Sequence, residues 1–305
     1  MYPPDLQKTI TQLGEVLLPA MFVYLLLEVG FLRFRRRTLA VGEAGACGAG
    51  LLVAGVITGL LTFSGLAVGV LVLATAGAAL SPIQGSLSWP WWIFGWVVYE
   101  FWYWVQHWAA HKVRLLWCLH APHHAPGSMH MLVGANHHFL ESIFYFPIFF
   151  GFLPALCGVP PLICLALNLI DVLWGSFLHI SDQVVVRGRY GWLEKILQTP
   201  AHHRVHHGKN LRYMDTNYNS ITVLWDRIFG TLQPLRDEEP VDYGITREVN
   251  TASYADLHFG EFSRLWSDVR AAGPWRDKLG YIFQPPGWKP GDRSGTVAAA
   301  KAAGL

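Results

Sequence analysis

Residues 89–111 read WPWWIFGWVVYEFWYWVQHWAAH, an aromatic run that ends on two histidines one helical turn apart. From Trp89 to Gln106 the block is hydrophobic, and Trp89, Trp91, Trp92, Trp96 and Trp102 precede Trp104. That is the pattern of a helix starting in an aromatic belt at a membrane interface. His107-Trp-Ala-Ala-His111 then sets two imidazoles on one helical face. An oily helix that delivers metal-binding side chains at its end decides the fold class: all-α, with multi-span membrane helices.

Outward from this block the composition agrees. Over 305 residues, 52% are hydrophobic and only 14% charged, against about 25% charged in a typical soluble domain. The deficit lies mainly in the first 180 residues. The net charge of +2 and the lack of a basic, aromatic-interleaved stripe exclude nucleic acid as an expected partner. Cys47, Cys118, Cys157 and Cys164 form no C-x-x-C pair and sit mostly in apolar stretches, so they read as buried thiols, not metal ligands. The N-terminus lacks the basic region, short apolar core and small-residue site of a removable signal peptide.

Further spans follow from length. Val16 to Leu32 is nearly all apolar and precedes Arg33, Arg35, Arg36 and Arg37. At about 1.5 Å per residue it crosses most of a bilayer core. Ala46 to Leu80 is an uncharged Gly/Ala/Val/Leu block. Phe139 to Cys157 and Pro161 to Leu178 are joined by Gly158-Val-Pro-Pro161, a turn between two apolar runs, and read as a helical hairpin. The hairpin returns the chain to its starting side, so His107 and His179 share one face of the membrane. Lys112, Arg114, Arg187, Arg189, Lys195, Arg204, Lys209 and Arg212 flank these histidines and place that face in the cytoplasm. With Arg33 to Arg37 also inside, the Ala46–Leu80 block must cross an odd number of times, as one crossing with a kinked or re-entrant part.

Thirteen of the 14 histidines lie between His107 and His207. His120-Ala-Pro-His123-His124 and His203-Arg-Val-His206-His207 repeat the spacing i, i+3, i+4, which converges three rings on a helix, although Pro122 is expected to interrupt the first set. Together with His107, His111 and His179 they outnumber the ligands of one ion and suit two. Buried imidazoles without partners cost free energy, so packing is a poor explanation of such a set. Imidazole suits iron, zinc, copper and nickel alike. Ligating rings need their second nitrogen held, and Glu100, Asp171 and Asp226, with Asp215 nearby, are the carboxylates expected to do so. His138 and His202 are expected as auxiliary or site-lining residues; His130, His137 and His258 read as ordinary polar side chains. A non-catalytic membrane metal-binding or transport protein is the rival class, but it would place histidines along a path within the spans.

These residues resemble the fatty acid hydroxylase superfamily, also called the sterol desaturase family, over roughly Trp89 to Thr231. Thr199-Pro-Ala-His-His-Arg-Val-His-His-Gly208, Asp215-Thr-Asn-Tyr-Asn219 and Trp225-Asp-Arg-Ile-Phe-Gly-Thr231 carry the resemblance besides the other histidines. Tyr243-Gly-Ile-Thr246, Asn250-Thr251 and Pro285-Pro-Gly-Trp-Lys-Pro-Gly291 extend it toward the alkylglycerol monooxygenase branch. The resemblance implies His107, His111, His120, His123, His124, His179, His203, His206 and His207 as catalytic metal ligands. It implies two iron ions, replaceable by zinc in a purified protein. The implied reaction is hydroxylation of a C–H bond in a membrane lipid (a sterol, fatty acyl or glyceryl ether lipid) with dioxygen and two external electrons. Desaturation or ether cleavage on the same metal core is the alternative. No dinucleotide fingerprint, haem or iron–sulfur motif is present, so the donor is a separate protein or reductant, and the alkylglycerol branch implies a reduced pterin. Departures from the family pattern are Glu100 in place of Asp, Trp108 in place of Arg, and Gly175 where some relatives carry a further His or Gln. The chain then divides into N-terminal spans (1–88), a catalytic domain with spans (89–235), a cytoplasmic extension (236–291) and a disordered Gly/Ala/Lys-rich tail (292–305). The active site of this multi-pass integral membrane protein faces the cytoplasm.

Overall fold

The computed structural model describes residues 12, 16, 19, 23–35, 40–62 and 66–304. It is helical, with isolated bridges but no strand among the described residues. The helices that position the site are α1 (Val41–Thr62), α2 (Leu66–Leu80), α3 (Trp89–Lys112), α4 (Arg114–His124), α5 (Glu141–Leu156) and α6 (Pro161–Leu178). They are followed by α7 (Pro200–His206), α8 (Leu224–Ile228), α9 (Tyr254–Ala271), α10 (Trp275–Phe283) and α11 (Val297–Ala302).

α3 forms where the aromatic run predicts it. Ser88 caps it in an extended conformation, Pro90 sits in the first turn where a missing N–H is harmless, and extended Val113 ends it. Its buried face runs through Tyr99, Glu100, Trp104, His107 and His111. α4 begins at once, and the break at Val113 folds its histidines back against those of α3. Pro122 does not interrupt α4, contrary to the expectation. It lies in the last turn, where proline removes a single helical bond, and the Asn136 side chain donates to its carbonyl at 2.6 Å.

The hairpin is present as α5 and α6, turned at Gly158 with φ +93°. α5 carries π-helical turns at Glu141–Tyr145 and Ile148–Phe152. At the turn end, Ala74, Tyr99, Phe150, Ala155, Val159, Ile163, Cys164 and Leu167 form the main core between α2, α3, α5 and α6. α1 starts at the other end, where Glu43 accepts from the Gly127 backbone at 2.8 Å, whereas the chain after α2 packs Gly85 against the Gly158 carbonyl. The 46–80 block therefore begins at the histidine end and finishes at the turn end.

Among the described residues one helix, Pro161–Leu178, is long and apolar enough to cross a membrane; Val41–Ile57, Gly69–Leu80 and Glu141–Leu156 are shorter apolar helices. α3 has the length but contains Glu100, Gln106 and two histidines. The expected first span, Val16 to Leu32, lies partly outside the described residues. Its helical part, 23–34, contains Glu28, which accepts from Met131 at 2.6 Å and Ser181 at 2.7 Å through their backbone N–H groups, and so is tied to the histidine end.

Beyond residue 236 the chain wraps the histidine end. α9 packs on α4 and α1 through Leu257 and Leu265 and so covers the domain, while Trp266 stays exposed. The segment expected as a disordered tail contains α11, capped by Thr296, and Lys301 Nζ donates to the carbonyls of Arg212 (3.2 Å) and Met214 (2.6 Å). Low-complexity composition misleads here because the order comes from docking, not from a core of its own.

Candidate metal centre

α3, α4, α7 and the end of α6 bring nine histidines together in two buried groups. His107, His111, His120, His124 and His206 have ligand nitrogens within 4.8 Å of one another, and so do His123, His179, His203 and His207. The i, i+3, i+4 spacing explains the split: within α4, His120 and His124 face one group and His123 the other, and His203, His206 and His207 divide likewise.

The outer ring nitrogens are held. Nδ1 donates to the carbonyls of Tyr218 from His107 (2.8 Å), Val133 from His123 (3.0 Å), Gly175 from His179 (2.6 Å) and Thr216 from His206 (2.7 Å). His120 Nδ1 meets Glu141 at 3.1 Å, and His111 Nδ1 lies 3.5 Å from Asp215. A ring whose Nδ1 donates to a carbonyl carries a bare lone pair on Nε2. Those lone pairs face each other: His123 and His179 are 3.2 Å apart at Nε2, and His107 and His120 3.1 Å. Such contacts are repulsive unless a cation lies between them. Two nitrogens each about 2.1 Å from a shared ion sit about 3 Å apart. His111 Nε2 and His206 Nε2 are also buried without a hydrogen-bond partner. The residues thus fit two cations.

Burial, and then the neighbouring histidines, hold His123, His124, His203 and His207 well below the ordinary imidazole range, and burial takes His206 down to about 3. All are neutral near pH 7, the form that binds metal.

The other expected residues take different places. Glu100 touches no histidine of the groups; it accepts from Asn219 Nδ2 and from the Ile221 and Thr222 backbones at 2.5–3.0 Å. Asp226 accepts from the Tyr218 (2.8 Å) and Asn219 (2.9 Å) backbones, Gln198 (2.8 Å) and Trp104 (3.2 Å), and so fixes the Tyr218 carbonyl that receives His107. Asp171 pairs with Tyr99 and Ser220. His138 lies apart, among Phe139, Phe259, Phe262 and His258. His202 serves the first turn of α7, beside Thr199. Trp108 stacks on Trp104. Gly175 offers its carbonyl to His179 and has open space where a side chain would be.

Two residues at the site escaped the sequence reading. Glu141 bridges His120 and His137 (2.9 Å to the latter), and His137 stacks on His123 with centroids 4.3 Å apart. Their i, i+4 spacing was the available signal.

Gly134 sets the position of His179. A Cβ there would lie 2.7 Å from His179 Nδ1 and 2.8 Å from its Cγ, against a ring that cannot bend away. Gly134→Ala is therefore expected to displace His179 and lower the metal content of the four-histidine group, measured by elemental analysis; an unchanged content would refute this.

An apolar cavity of about 340 Å³ reaches both groups. Leu51, Ala54, Phe146, Phe150 and Val172 wall it, and His107, His120, His123, His179 and His203 line it. Asn168, Asp171 and Ser220 give it a polar patch.

Residues 92–231 match the fatty acid hydroxylase family. The chain is 31% identical over 242 residues to an alkylglycerol monooxygenase of Xenopus tropicalis (79% of this chain, 52% of that protein). It is 33% identical over 213 residues to that of Homo sapiens (68% and 45%). An ornithine lipid hydroxylase of Rhizobium tropici is 32% identical over 166 residues (54% and 48%). The chain thus spans about half the length of these curated relatives. No solved structure matches it.

Proposed function

Residues 92–231 place this chain in the fatty acid hydroxylase family, and on that premise we propose that it is a membrane-embedded di-iron oxygenase that hydroxylates a C–H bond of a lipid. The observation that carries this reading is the apolar cavity bounded by histidines of both groups. Metal for storage or transport needs no such cavity; a hydrocarbon substrate does.

His107, His111, His120, His124 and His206 would hold one iron and His123, His179, His203 and His207 the other. When bound, the iron pair supplies the activation of dioxygen and the oxidation of the C–H bond. The protein supplies orientation and dryness. Leu51, Phe146, Phe150 and Val172 hold an alkyl chain and exclude water from the histidine end. The carbonyls of Tyr218, Val133, Gly175 and Thr216 fix which nitrogen of each ring faces inward. Glu141 orients His120 and links it to His137, which lines the cavity.

The relatives act, by their names, on alkylglycerols and on ornithine lipids. A lipid with a polar head is accordingly the proposed substrate class, and Asn168, Asp171 and Ser220 are the groups available to its polar atoms. The spans and the flanking Lys/Arg residues support a multi-pass protein with the centre on the cytoplasmic side. Two electrons come from a separate donor.

The reading is tested with purified protein in detergent, supplied with iron, a reductant and a membrane lipid extract. Two irons per chain and oxygen uptake that depends on lipid are expected. Zinc that iron cannot displace, with no such uptake, would sink the proposal.

A further inference from the structure

The outward side of α8 is apolar, and it continues the outward side of α3. Trp192 and Ile196, with Leu224, Ile228 and Phe229, are large apolar side chains left exposed. The two stretches are joined: Val223 N–H donates to the Ile196 carbonyl at 2.9 Å, and Arg227 Nη2 to that of Lys195 at 2.7 Å. On α3, Ile93, Phe94 and Val97 are exposed as well. Trp225 Nε1 donates to the Val97 carbonyl at 3.2 Å, and Phe229 packs on Trp104 with centroids 4.3 Å apart. α8 therefore lies alongside α3, not beyond its histidine end.

Resting on the reading of this chain as a membrane-embedded oxygenase, we infer that residues 191–197 and 217–231 dip together into the cytoplasmic leaflet, with lipid acyl chains as the partner of their apolar face. Depth is read from α6. Its 18 residues measure about 27 Å, close to a hydrocarbon core of about 30 Å. Ser220 Oγ donates to Asp171, and Asn219 Nδ2 donates to Glu100 at 2.5 Å. Asp171 stands seven residues before the end of α6 and Glu100 seven before His107, a rise of about 10.5 Å in either helix. The loop thus reaches deep into a leaflet whose hydrocarbon is about 15 Å thick.

Non-helical backbone is tolerated at bilayer depth only where protein satisfies its polar groups. This loop meets that condition. The N–H groups of Tyr218 and Asn219 donate to the Asp226 carboxylate, and those of Ile221 and Thr222 to Glu100, at 2.8–3.0 Å. Asn217 N–H donates to the Thr231 carbonyl at 2.9 Å, and Gln198 N–H to that of Ile221 at 2.8 Å. A loop in water can leave such groups to solvent; one in hydrocarbon cannot. Carboxylates within spans are costly unless paired, and Glu100 and Asp171 are paired by this loop. The exposed Lys195 and Arg227 beside the apolar face have stems long enough to carry their charge toward lipid phosphates. Asn219 and Ser220 also line the apolar cavity, which therefore lies at the depth of the acyl chains. A lipid tail then reaches it without leaving the bilayer.

The experiment uses the full chain in phosphatidylcholine vesicles. Cys157→Ala removes the one cysteine that is not buried, leaving Cys47, Cys118 and Cys164 shielded from labelling. Ile196→Cys, Ile228→Cys, Ile170→Cys on α6 and Glu238→Cys in the C-terminal extension each carry a nitrobenzoxadiazole fluorophore; all four positions are exposed. Quenching by doxyl-labelled phosphatidylcholine reports lipid contact, and quenching by iodide reports water. Probes at 196 and 228 are expected to lose fluorescence to the doxyl lipid as the probe at 170 does, and to be protected from iodide; the probe at 238 should show the reverse. Quenching at 196 and 228 by iodide alone, with 170 still quenched by the doxyl lipid, overturns the inference and leaves the membrane reading standing. Protection of 196 and 228 from both quenchers would mean that protein, such as a second copy of this chain, covers the face, and also overturns it. A probe at 170 that the doxyl lipid does not quench would overturn the membrane reading itself, and the inference with it.

Discussion

His206→Ala is expected to empty the five-histidine group, and His123→Ala the four-histidine group, each with the helical fold retained. His206 offers a buried Nε2 without a hydrogen-bond partner while its Nδ1 is committed to Thr216. His123 faces His179 across 3.2 Å with its Nδ1 committed to Val133. Each ring holds one backbone carbonyl, Thr216 or Val133, so its loss costs a single hydrogen bond there and mainly deprives the ion. Loss of groups that only orient ligands already costs about 10–100-fold in metal affinity or activity, and loss of a ligand should cost at least about 100-fold in turnover. His202→Ala, whose ring sits beside Thr199 and belongs to neither group, is expected to keep both metals. Elemental analysis with circular dichroism decides: two metals retained in His206→Ala would show the ligand set is misassigned.

The second large effect is expected at Asp226, and it is on stability. Its carboxylate is fully buried and accepts from the Tyr218 and Asn219 backbones, Gln198, Trp104 and Thr231. Alanine would leave these donors in a cavity too small to hydrate them all. Removing one partner from a buried charged network costs about 3–5 kcal/mol. Because the Tyr218 carbonyl receives His107, the five-histidine group should lose metal affinity as well. Asp226→Asn keeps an acceptor oxygen and should fall between. Denaturant titration in detergent measures the difference; a midpoint unchanged in Asp226→Ala would contradict this role.

Much of the centre was legible because histidine spacing on a helix is a geometric statement. His107/His111 and the two i, i+3, i+4 sets each land where 3.6 residues per turn put them, and the Gly158 turn brings His179 to the same end. The partners of the outer nitrogens were not legible. Four are backbone carbonyls, and every residue has one. Glu100 lay two turns before His107 on the same face, yet seven residues rise about 10.5 Å along a helix, beyond a carboxylate's reach. It binds the 219–222 loop instead. Asp171 stands eight residues before His179 and fails for the same reason. Asp215, named among the candidate carboxylates, does lie beside His111, whereas Glu141, which meets His120, comes from a segment whose approach depends on tertiary packing. α11 shows the same limit, since Lys301 finds its acceptors nearly ninety residues earlier in the chain.

Oxidation of a lipid at a di-iron centre is the activity proposed for these two histidine groups. Its most direct test supplies iron-loaded protein with labelled dioxygen, a reductant and total membrane lipid, followed by mass spectrometry of the extracted lipids. One labelled oxygen atom is expected in a lipid product, absent from His123→Ala and His206→Ala. No label in any lipid from protein carrying two irons and consuming reductant would contradict it.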